Sequence, residues 1–250
     1  PRMKVLGVIP ARLNSSRLPE KVLADICGLP MVIHVYARAK LCGILDDVIV
    51  ATDSELVKKV VEQYGGKAMM TSEHHTNCTE RLNEVSTKVD ADIYMLINGD
   101  EPLVRPEDIQ KSCNLLKSDR KADASLLYVK ITKFNSASDF KLVLNDKSHV
   151  MYISRGDIPS PLRNPVDFFF KAYHVMGFYK STLNAYVEME KPYLEKIEDH
   201  EHLRLLIYGK IITAGFVDYE CFSVDTKSDL DWVRGKMPQD KLFQLYKDKR

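Results

Sequence analysis

The chain has 250 residues, 45% hydrophobic and 28% charged, a composition typical of a globular protein with a sizeable core. Its formal net charge of +1 argues against a dedicated nucleic-acid binder, so any site for an anion must be local. The cysteines are scattered and lack metal-ligand spacing, which predicts free thiols and no zinc site. The sequence shows no signal peptide and no apolar run of membrane length, which predicts a cytoplasmic protein without a membrane partner.

The first predicted strand, residues 4–9, ends at Pro10 and leads into a basic loop that contains serines. A buried strand followed by such a loop at the carboxyl edge of a parallel sheet is a typical place for an anionic ligand. Guanidinium and backbone N–H groups suit phosphate oxygens. The loop therefore predicts a triphosphate site, with a solvated basic turn as the alternative. The candidate ligands are Arg12, Ser15, Ser16, Arg17 and Lys21.

Strands and helices alternate over the first half of the chain. Apolar periodicity and capping residues predict helices at 31–40, 54–64, 79–89 and 106–117. Short apolar runs predict strands at 47–52, 67–70, 94–97 and 124–129. This order predicts a parallel sheet with right-handed crossovers.

The pattern changes near residue 134. We predict a β-hairpin at 141–144 and 150–153, a strand at 173–179, and helices at 183–189 and 195–208. Strands at 211–214 and 221–224 precede a final helix capped at 225–226. We expect a single domain over 1–250 with an inserted antiparallel region at about 134–180.

Two carboxylates, Asp100 and Asp225, each follow a predicted strand. If both strands belong to one parallel sheet, both side chains emerge at the edge that carries the basic loop. Carboxylate, phosphate and water oxygens are the ligands that Mg²⁺ prefers, so the pair predicts a magnesium site. The alternatives are a turn carboxylate for Asp100 and a helix N-cap for Asp225.

Several motifs, in order over nearly the whole chain, resemble those of the CMP-Kdo synthetases (3-deoxy-manno-octulosonate cytidylyltransferases). The matching segments are Ile9-Pro10-Ala11-Arg12, Ser16-Arg17-Leu18-Pro19 with Lys21, Thr79-Glu80-Arg81, Gly99-Asp100-Glu101-Pro102, Tyr152-Ile153-Ser154-Arg155, Ile158-Pro159, stretches within 194–209, and Val224-Asp225-Thr226. The resemblance implies a doubly wound, Rossmann-like nucleotidyltransferase fold of the α/β class. It also implies a homodimer whose contact, with part of the acceptor pocket, comes from the small lid-like region.

The resemblance also implies roles for individual residues. Triphosphate contacts are expected from Arg12, Arg17 and Lys21, cytosine contacts from Asn77, Thr79 and Arg81, Mg²⁺ binding from Asp100 and Asp225, and acceptor contacts from Arg155, Tyr179 and Glu201. From the residues alone, Asn77 to Arg81 could equally be a simple helix cap. We expect Arg12, Lys21, Asp100 and Asp225 to act in catalysis.

Four positions depart from the family pattern, and three of them lie in the acceptor region. Asn98 and His202 each stand where the family has glutamine, Cys78 replaces a glycine, and His174 lies one place before the family's histidine position. We therefore add Asn98, His174 and His202 to the acceptor-binding candidates. Losing groups that bind particular hydroxyls argues for a changed acceptor, unless the histidines compensate locally or lie at the surface.

These observations predict a Mg²⁺-dependent cytidylyltransferase. It would move CMP from CTP to the hydroxyl of Kdo or a similar keto-sugar acid and release pyrophosphate. The first alternative is the same chemistry on a phosphonate or another small anionic acceptor, which Lys171 and the histidines would favour. The second is a non-catalytic nucleotide-binding or scaffold protein, which the retained carboxylates and basic residues argue against.

Overall fold

The computed structural model describes residues 2–248. The strands are β1 (Val5–Pro10), β2 (Asp25–Ile26), β3 (Leu29–Pro30), β4 (Asp47–Thr52), β5 (Ala68–Met70), β6 (Ile93–Leu96), β7 (Ala124–Ile131), β8 (Lys141–Leu144), β9 (Val150–Ser154), β10 (Phe169–Tyr179) and β11 (Ile212–Phe216). The helices are α1 (Met31–Lys40), α2 (Glu55–Gln63), α3 (Cys78–Lys88), α4 (Pro106–Ser118), α5 (Lys180–Glu188), α6 (Tyr193–Glu198), α7 (Leu203–Ile207), α8 (Lys227–Lys236) and α9 (Phe243–Tyr246). Short 3-10 turns lie at Lys21–Leu23 and Met237–Gln239.

A nine-stranded sheet forms the centre of the fold, with the strand order β11-β7-β10-β6-β1-β4-β5 and the hairpin β8–β9 attached to β10. β1 pairs in parallel with β4 and β6, as β4 does with β5 and β7 with β11. β10 runs antiparallel to both of its neighbours in this order, β6 and β7. The predicted α/β fold with a mostly parallel sheet is confirmed. The small antiparallel sheet of β2 and β3 was not predicted.

Both faces of the sheet are covered, and β1 shows how its sequence achieves this. Val5 and Ile9 pack in one apolar cluster, whereas Leu6 and Val8 pack in the other, on the opposite face. Side chains alternate between the faces of a strand, so a continuous apolar run suits a strand that is buried on both sides. The loop after β1 therefore leaves the sheet from a rigid, buried base.

The inserted region is continuous with the main sheet. β8 and β9 form the expected hairpin, and β8 pairs with β10 at Leu142–Phe170 and Lys141–Lys171. β10 thereby joins the hairpin to the central strands. A lid or dimerisation role for this region stays a prediction.

Two predicted elements are wrong. The expected helix at 195–208 is two short helices, because α6 ends at Glu198 and the next residue, Asp199, adopts the left-handed conformation (φ 51°). The expected strand at 221–224 pairs with no strand; its apolar character reflects packing, since Val224 is buried and Phe222 stacks on Trp232. No helix within residues 2–248 is long and apolar enough to cross a membrane.

Candidate functional site

Two cavities open at the carboxyl edge of the parallel strands. The first, of about 410 Å³, is lined by the loop after β1 and the start of α3, and we call it the basic cavity. The second, of about 540 Å³, is lined by β10 and by the segments around 199–202 and 221–225, and we call it the histidine cavity. Five residues line both cavities, namely Asn98, Asp100, Asp199, Glu201 and Asp225. The two cavities therefore meet at the two predicted metal ligands.

Asp100 and Asp225 converge on the ammonium group of Lys21. Lys21 Nζ donates to Asp100 Oδ2 at 3.0 Å and to Asp225 Oδ1 at 3.4 Å, and it also donates to the Val224 carbonyl at 3.0 Å. The two carboxylates therefore lie on one edge of the sheet, although they are 125 positions apart in the chain. They can face one cation together.

Backbone contacts bring these two carboxylates to the same place. The Gly99 amide donates to the Pro10 carbonyl at 3.3 Å, and a Cβ on Gly99 would lie 2.8 Å from that oxygen, so only glycine permits this approach. The Val224 amide donates to the Asp100 carbonyl at 2.8 Å, which fixes Asp225 beside Asp100. The loop after β1, the turn after β6 and the start of α8 are thus joined at one point.

The side chain of Asp225 is not used as a helix cap. Thr226 is the N-cap of α8 and forms a capping box with Asp229. The Asp229 carboxylate accepts from the amides of Asp225 and Thr226 at 2.9 and 3.0 Å. The N-cap alternative for Asp225 is therefore wrong, and its carboxylate stays available for a ligand.

Asp100 and Glu101 lie in a poorly solvated environment at this junction, whereas 40% of the Asp225 side chain is exposed. Burial and the charge of Asp225 raise the pKa of Asp100, while Lys21 opposes the shift. Burial and the charge of Asp100 raise the pKa of the neighbouring Glu101 to about 8, although Ser223 donates a hydrogen bond to it. A cation at the junction would stabilise the ionised form of Asp100.

The loop after β1 carries its cations at the mouth of the basic cavity. Arg12 and Arg17 are exposed and line the cavity together with Ser15 and Ser16. Arg17 Nη2 lies 3.9 Å from Asp225 Oδ1, with 63% of the arginine side chain exposed. The positive charge predicted for this loop is therefore free to contact an anion.

The start of α3 forms the opposite wall of the basic cavity. Asn77 caps the helix, because its Oδ1 accepts from the Glu80 amide at 2.9 Å, and its Nδ2 donates to Tyr186 Oη at 3.0 Å. Arg81, which is 2% exposed, donates to Thr71 Oγ1 at 2.5 Å and to the Ser72 carbonyl at 3.1 Å. Both residues line the cavity, so the cap does not exclude a ligand contact.

Thr79 does not line either cavity, unlike the other residues expected to contact the nucleotide. It is fully buried, and its amide and hydroxyl donate to Glu201 Oε2 at 2.9 and 2.7 Å. The prediction that Thr79 contacts cytosine directly is not supported by this placement. Instead, Thr79 orients the Glu201 carboxylate, which lines both cavities.

Three histidines meet at the wall of the histidine cavity. His174 Nε2 and His200 Nε2 are 3.0 Å apart, and His202 Nε2 lies 3.3 Å from Thr79 Oγ1. Burial lowers the pKa values of His174 and His202 to about 3 and that of His200 well below its usual range, so all three are neutral at pH 7. Sequence reasoning predicted His174 and His202 but missed His200, although the spacing His200-x-His202 was a usable signal.

A β-bulge explains why His174 reaches this cavity. Between Tyr173 and Gly177 the register of β10 shifts, so that a longer segment of β10 lies opposite a shorter one of β7. Bulges redirect side chains and occur often beside functional sites. Asn98, the other predicted acceptor residue here, lines the same cavity and donates to the His174 carbonyl at 3.3 Å.

Two predicted acceptor residues lie elsewhere. Tyr179 pairs with Ile93 at the amino end of β6, and its hydroxyl donates to the Leu116 carbonyl at 3.2 Å, so the prediction is wrong. The physical reason is the direction of β10: an antiparallel strand ends at the edge opposite to the carboxyl ends of its parallel neighbours. Arg155 lines neither cavity, since its guanidinium donates to the Glu198 and Ala137 carbonyls at 2.8 and 3.0 Å.

Comparisons with known proteins show which sequences this chain is similar to. A family model described as "Cytidylyltransferase" matches residues 6–212. The 3-deoxy-manno-octulosonate cytidylyltransferase of Escherichia coli is 37% identical, covering 95% of this chain and 97% of that protein. The protein of the same name from Vibrio parahaemolyticus is 43% identical, covering 93% and 97%.

Solved structures give the same result at the level of the fold. A CMP:2-keto-3-deoxy-manno-octonic acid synthetase complexed with CTP superposes with a TM-score of 0.91 at 37% identity, covering 94% of this chain and 99% of that one. A 4-diphosphocytidyl-2C-methyl-D-erythritol synthase from Anaerococcus prevotii superposes with a TM-score of 0.64 at 12% identity, which shows only that the fold is shared. This superposition covers 94% of our chain and 99% of the Anaerococcus prevotii chain.

Proposed function

The chain is a nucleotidyltransferase of the 3-deoxy-manno-octulosonate cytidylyltransferase family, and we propose that Asp100 and Asp225 hold Mg²⁺ while CMP passes from CTP to Kdo. The basic cavity receives CTP and the histidine cavity receives the acceptor. The observation that supports this division is the junction of the two cavities, where both carboxylates contact Lys21. Transfer requires that the two substrates meet, and this is where the two cavities join.

The carboxylate pair suits Mg²⁺ in its chemistry. Both side chains offer hard oxygen atoms, both already face one positive charge, and both border the cavity expected to hold phosphates. When bound, Mg²⁺ supplies positive charge that lowers the pKa of the acceptor hydroxyl and neutralises the α-phosphate. A bound ion would share these carboxylate oxygens with Lys21.

The cations of the chain act on the triphosphate. The acceptor hydroxyl attacks the α-phosphorus in line, the bond to the bridging oxygen breaks, and pyrophosphate leaves with the additional negative charge. Arg12 and Arg17 at the cavity mouth, with Lys21 deeper in, offset that charge. Asn77 and Arg81 lie on the opposite wall, where they contact the cytosine and its ribose.

A second acceptor class has its own support in the histidine cavity. Lys171 lines the cavity together with the three histidines and pairs with Asp139 at 2.8 Å. Imidazole and ammonium donors suit a small dianion such as a phosphonate as well as they suit the carboxylate of a sugar acid. The same transfer chemistry on a phosphonate is therefore the second candidate function.

Release of pyrophosphate from CTP tests the proposed function. We expect the whole chain with Mg²⁺ and CTP to release pyrophosphate when Kdo is added and to form CMP-Kdo in equal amount. Kdo, its 8-amino analogue, other nonulosonic acids and a phosphonate panel are compared at equal concentration. Turnover with phosphonates alone supports the second candidate, and no turnover with any acceptor contradicts both.

We also propose that the protein forms a homodimer through the inserted region. Several apolar side chains there are exposed, including Leu162 at 89%, Met151 at 61% and Phe134 at 46%. Contiguous patches of exposed apolar side chains often mark an interface, and we propose that these side chains form such a patch. Light scattering of the parent protein should give twice the mass of the chain. A double variant with Met151→Glu and Leu162→Glu should give the mass of a monomer. A monomeric parent protein contradicts the proposal.

A further inference from the structure

The three histidines of the histidine cavity have the arrangement of metal ligands. One ring nitrogen from each of His174, His200 and His202 lies within 4.8 Å of the other two. Nitrogen ligands around a tetrahedral zinc ion, at about 2.1 Å from the metal, are about 3.4 Å apart. Small movements of the rings would therefore bring the three nitrogens to coordination distance.

The chemical state of these rings also suits a metal. Burial keeps the pKa values of His174 and His202 at about 3, and neutral imidazole is the form that binds metal ions. The His202 ring is 2% exposed, and its Nδ1 is a buried nitrogen without a hydrogen-bond partner within residues 2–248. Such an unpaired buried polar atom is uncommon and calls for a ligand, a water molecule or an ion.

The fold supports two of the rings in the manner of metal ligands. His202 Nε2 contacts Thr79 Oγ1 at 3.3 Å, which leaves Nδ1 as the nitrogen for a ligand. Phe140 stacks edge-on against His200 with ring centres 4.3 Å apart. Hydrogen bonds and packing of this kind orient metal-binding imidazoles.

We propose that His174, His200 and His202 together bind a transition-metal ion such as Zn²⁺ at the wall of the histidine cavity. Three protein ligands leave an open coordination position, as in catalytic zinc sites, and all three residues line the cavity. That position takes an anionic oxygen of the acceptor. The metal site stands on the geometry alone, whereas the contact with the acceptor rests on the proposed function.

This site differs in chemistry from the carboxylate pair. Imidazole nitrogens favour zinc, cobalt, nickel or copper, whereas Asp100 and Asp225 offer only oxygen and favour Mg²⁺. Coordination has a cost at His200, whose Nδ1 accepts from the His202 amide at 3.3 Å and whose Nε2 therefore carries the hydrogen. Binding through Nε2 moves that hydrogen to Nδ1, which ends this long hydrogen bond, and it also ends the 3.0 Å hydrogen bond from His200 Nε2 to His174 Nε2.

Cobalt binding in excess Mg²⁺ tests the site. Co²⁺ replaces Zn²⁺ and absorbs visible light when it is tetrahedral, and the Mg²⁺ saturates the carboxylates. We expect one Co²⁺ per chain, with affinity at least about tenfold weaker in His200→Leu and in His202→Gln. His74→Ala, at an exposed histidine outside the cluster, is the matched control and should bind Co²⁺ as the parent does.

The outcomes separate the metal site from the proposed function. Thermal unfolding shows whether each variant is folded. Because two histidines are substituted separately, the test remains valid if one of the variants misfolds. No Co²⁺ binding, or binding that neither substitution weakens, overturns the site. Addition of Kdo should shift the cobalt absorption, and an unchanged spectrum overturns the acceptor contact. If the Asp225→Asn variant binds Co²⁺ but shows no turnover, the histidine metal site is supported independently of the transferase activity.

Discussion

The two cavities differ in the kind of charge that they present. The basic cavity carries arginines and a lysine, of which Arg12 and Arg17 are exposed. The wall of the histidine cavity carries three imidazoles that burial holds in the neutral form. Exposed guanidinium groups suit the triphosphate of a nucleotide, whereas neutral imidazoles suit a metal ion or a hydrogen-bonding acceptor.

The largest effect is expected from Asp225→Asn, which removes a negative charge at the junction between the cavities. We expect turnover to fall at least about 100-fold, equivalent to about 2.7 kcal/mol of transition-state stabilisation, because the Mg²⁺ that we propose here would lose a charged ligand. Pyrophosphate release measures it. Asp231→Asn, an exposed carboxylate on α8, is the control and should keep parental activity. Parental activity in Asp225→Asn would show that this carboxylate is dispensable.

The neutral histidines predict a loss of stability in acid. In the unfolded chain His202 titrates near 6.5, and in the folded chain near 3, so the unfolded state binds more protons between these values. Stability therefore falls as pH drops through this window. Urea unfolding measures this difference. Between pH 7 and pH 5, the free energy of unfolding should fall by about 2 kcal/mol more in the parent than in His202→Gln. Equal losses in the two proteins would mean that His202 is not held neutral.

A smaller effect is expected from Arg17→Ala, because this guanidinium is exposed and partly screened by water. We expect kcat/KM for CTP to fall about tenfold, with little change in the KM for the acceptor, since Arg17 lines only the basic cavity. Arg120→Ala, an exposed arginine in neither cavity, is the control. A change in the KM for the acceptor alone would reverse the assignment of the cavities.

The smallest effect is expected from Tyr179→Phe. The hydroxyl bonds to the Leu116 carbonyl at the other edge of the sheet, so its loss should cost about 1 kcal/mol of unfolding free energy. The KM for the acceptor should not change. A raised KM would mean that Tyr179 reaches the site after all.

The sequence was most informative where local pattern and function coincide. The buried run of β1 and the basic residues after it are adjacent in the chain, so the pattern alone predicts a strand and an anion site. The pairing of Asp100 with Asp225 was predictable in part, because both were placed at the ends of strands. Asp225 in fact follows an unpaired segment, and a backbone hydrogen bond from Val224 to Asp100 places it.

The histidine cavity was harder to predict because tertiary structure decides which of its residues meet. The direction of β10 removes Tyr179 from the site, and the bulge in the same strand brings His174 into it. His200 joins the cluster only because α6 ends at Glu198 and does not continue as a helix. Strand direction, bulges and helix ends depend on packing that no short motif records.

The central claim is that Asp100 and Asp225 act as one unit where the cavities join. Measuring kcat for Asp100→Asn, Asp225→Asn and the double variant tests it most directly. Residues that serve a single ion are not additive, so the double variant should lose no more activity than the worse single variant. Losses that multiply in the double variant would show that the two carboxylates act independently, and would contradict the account.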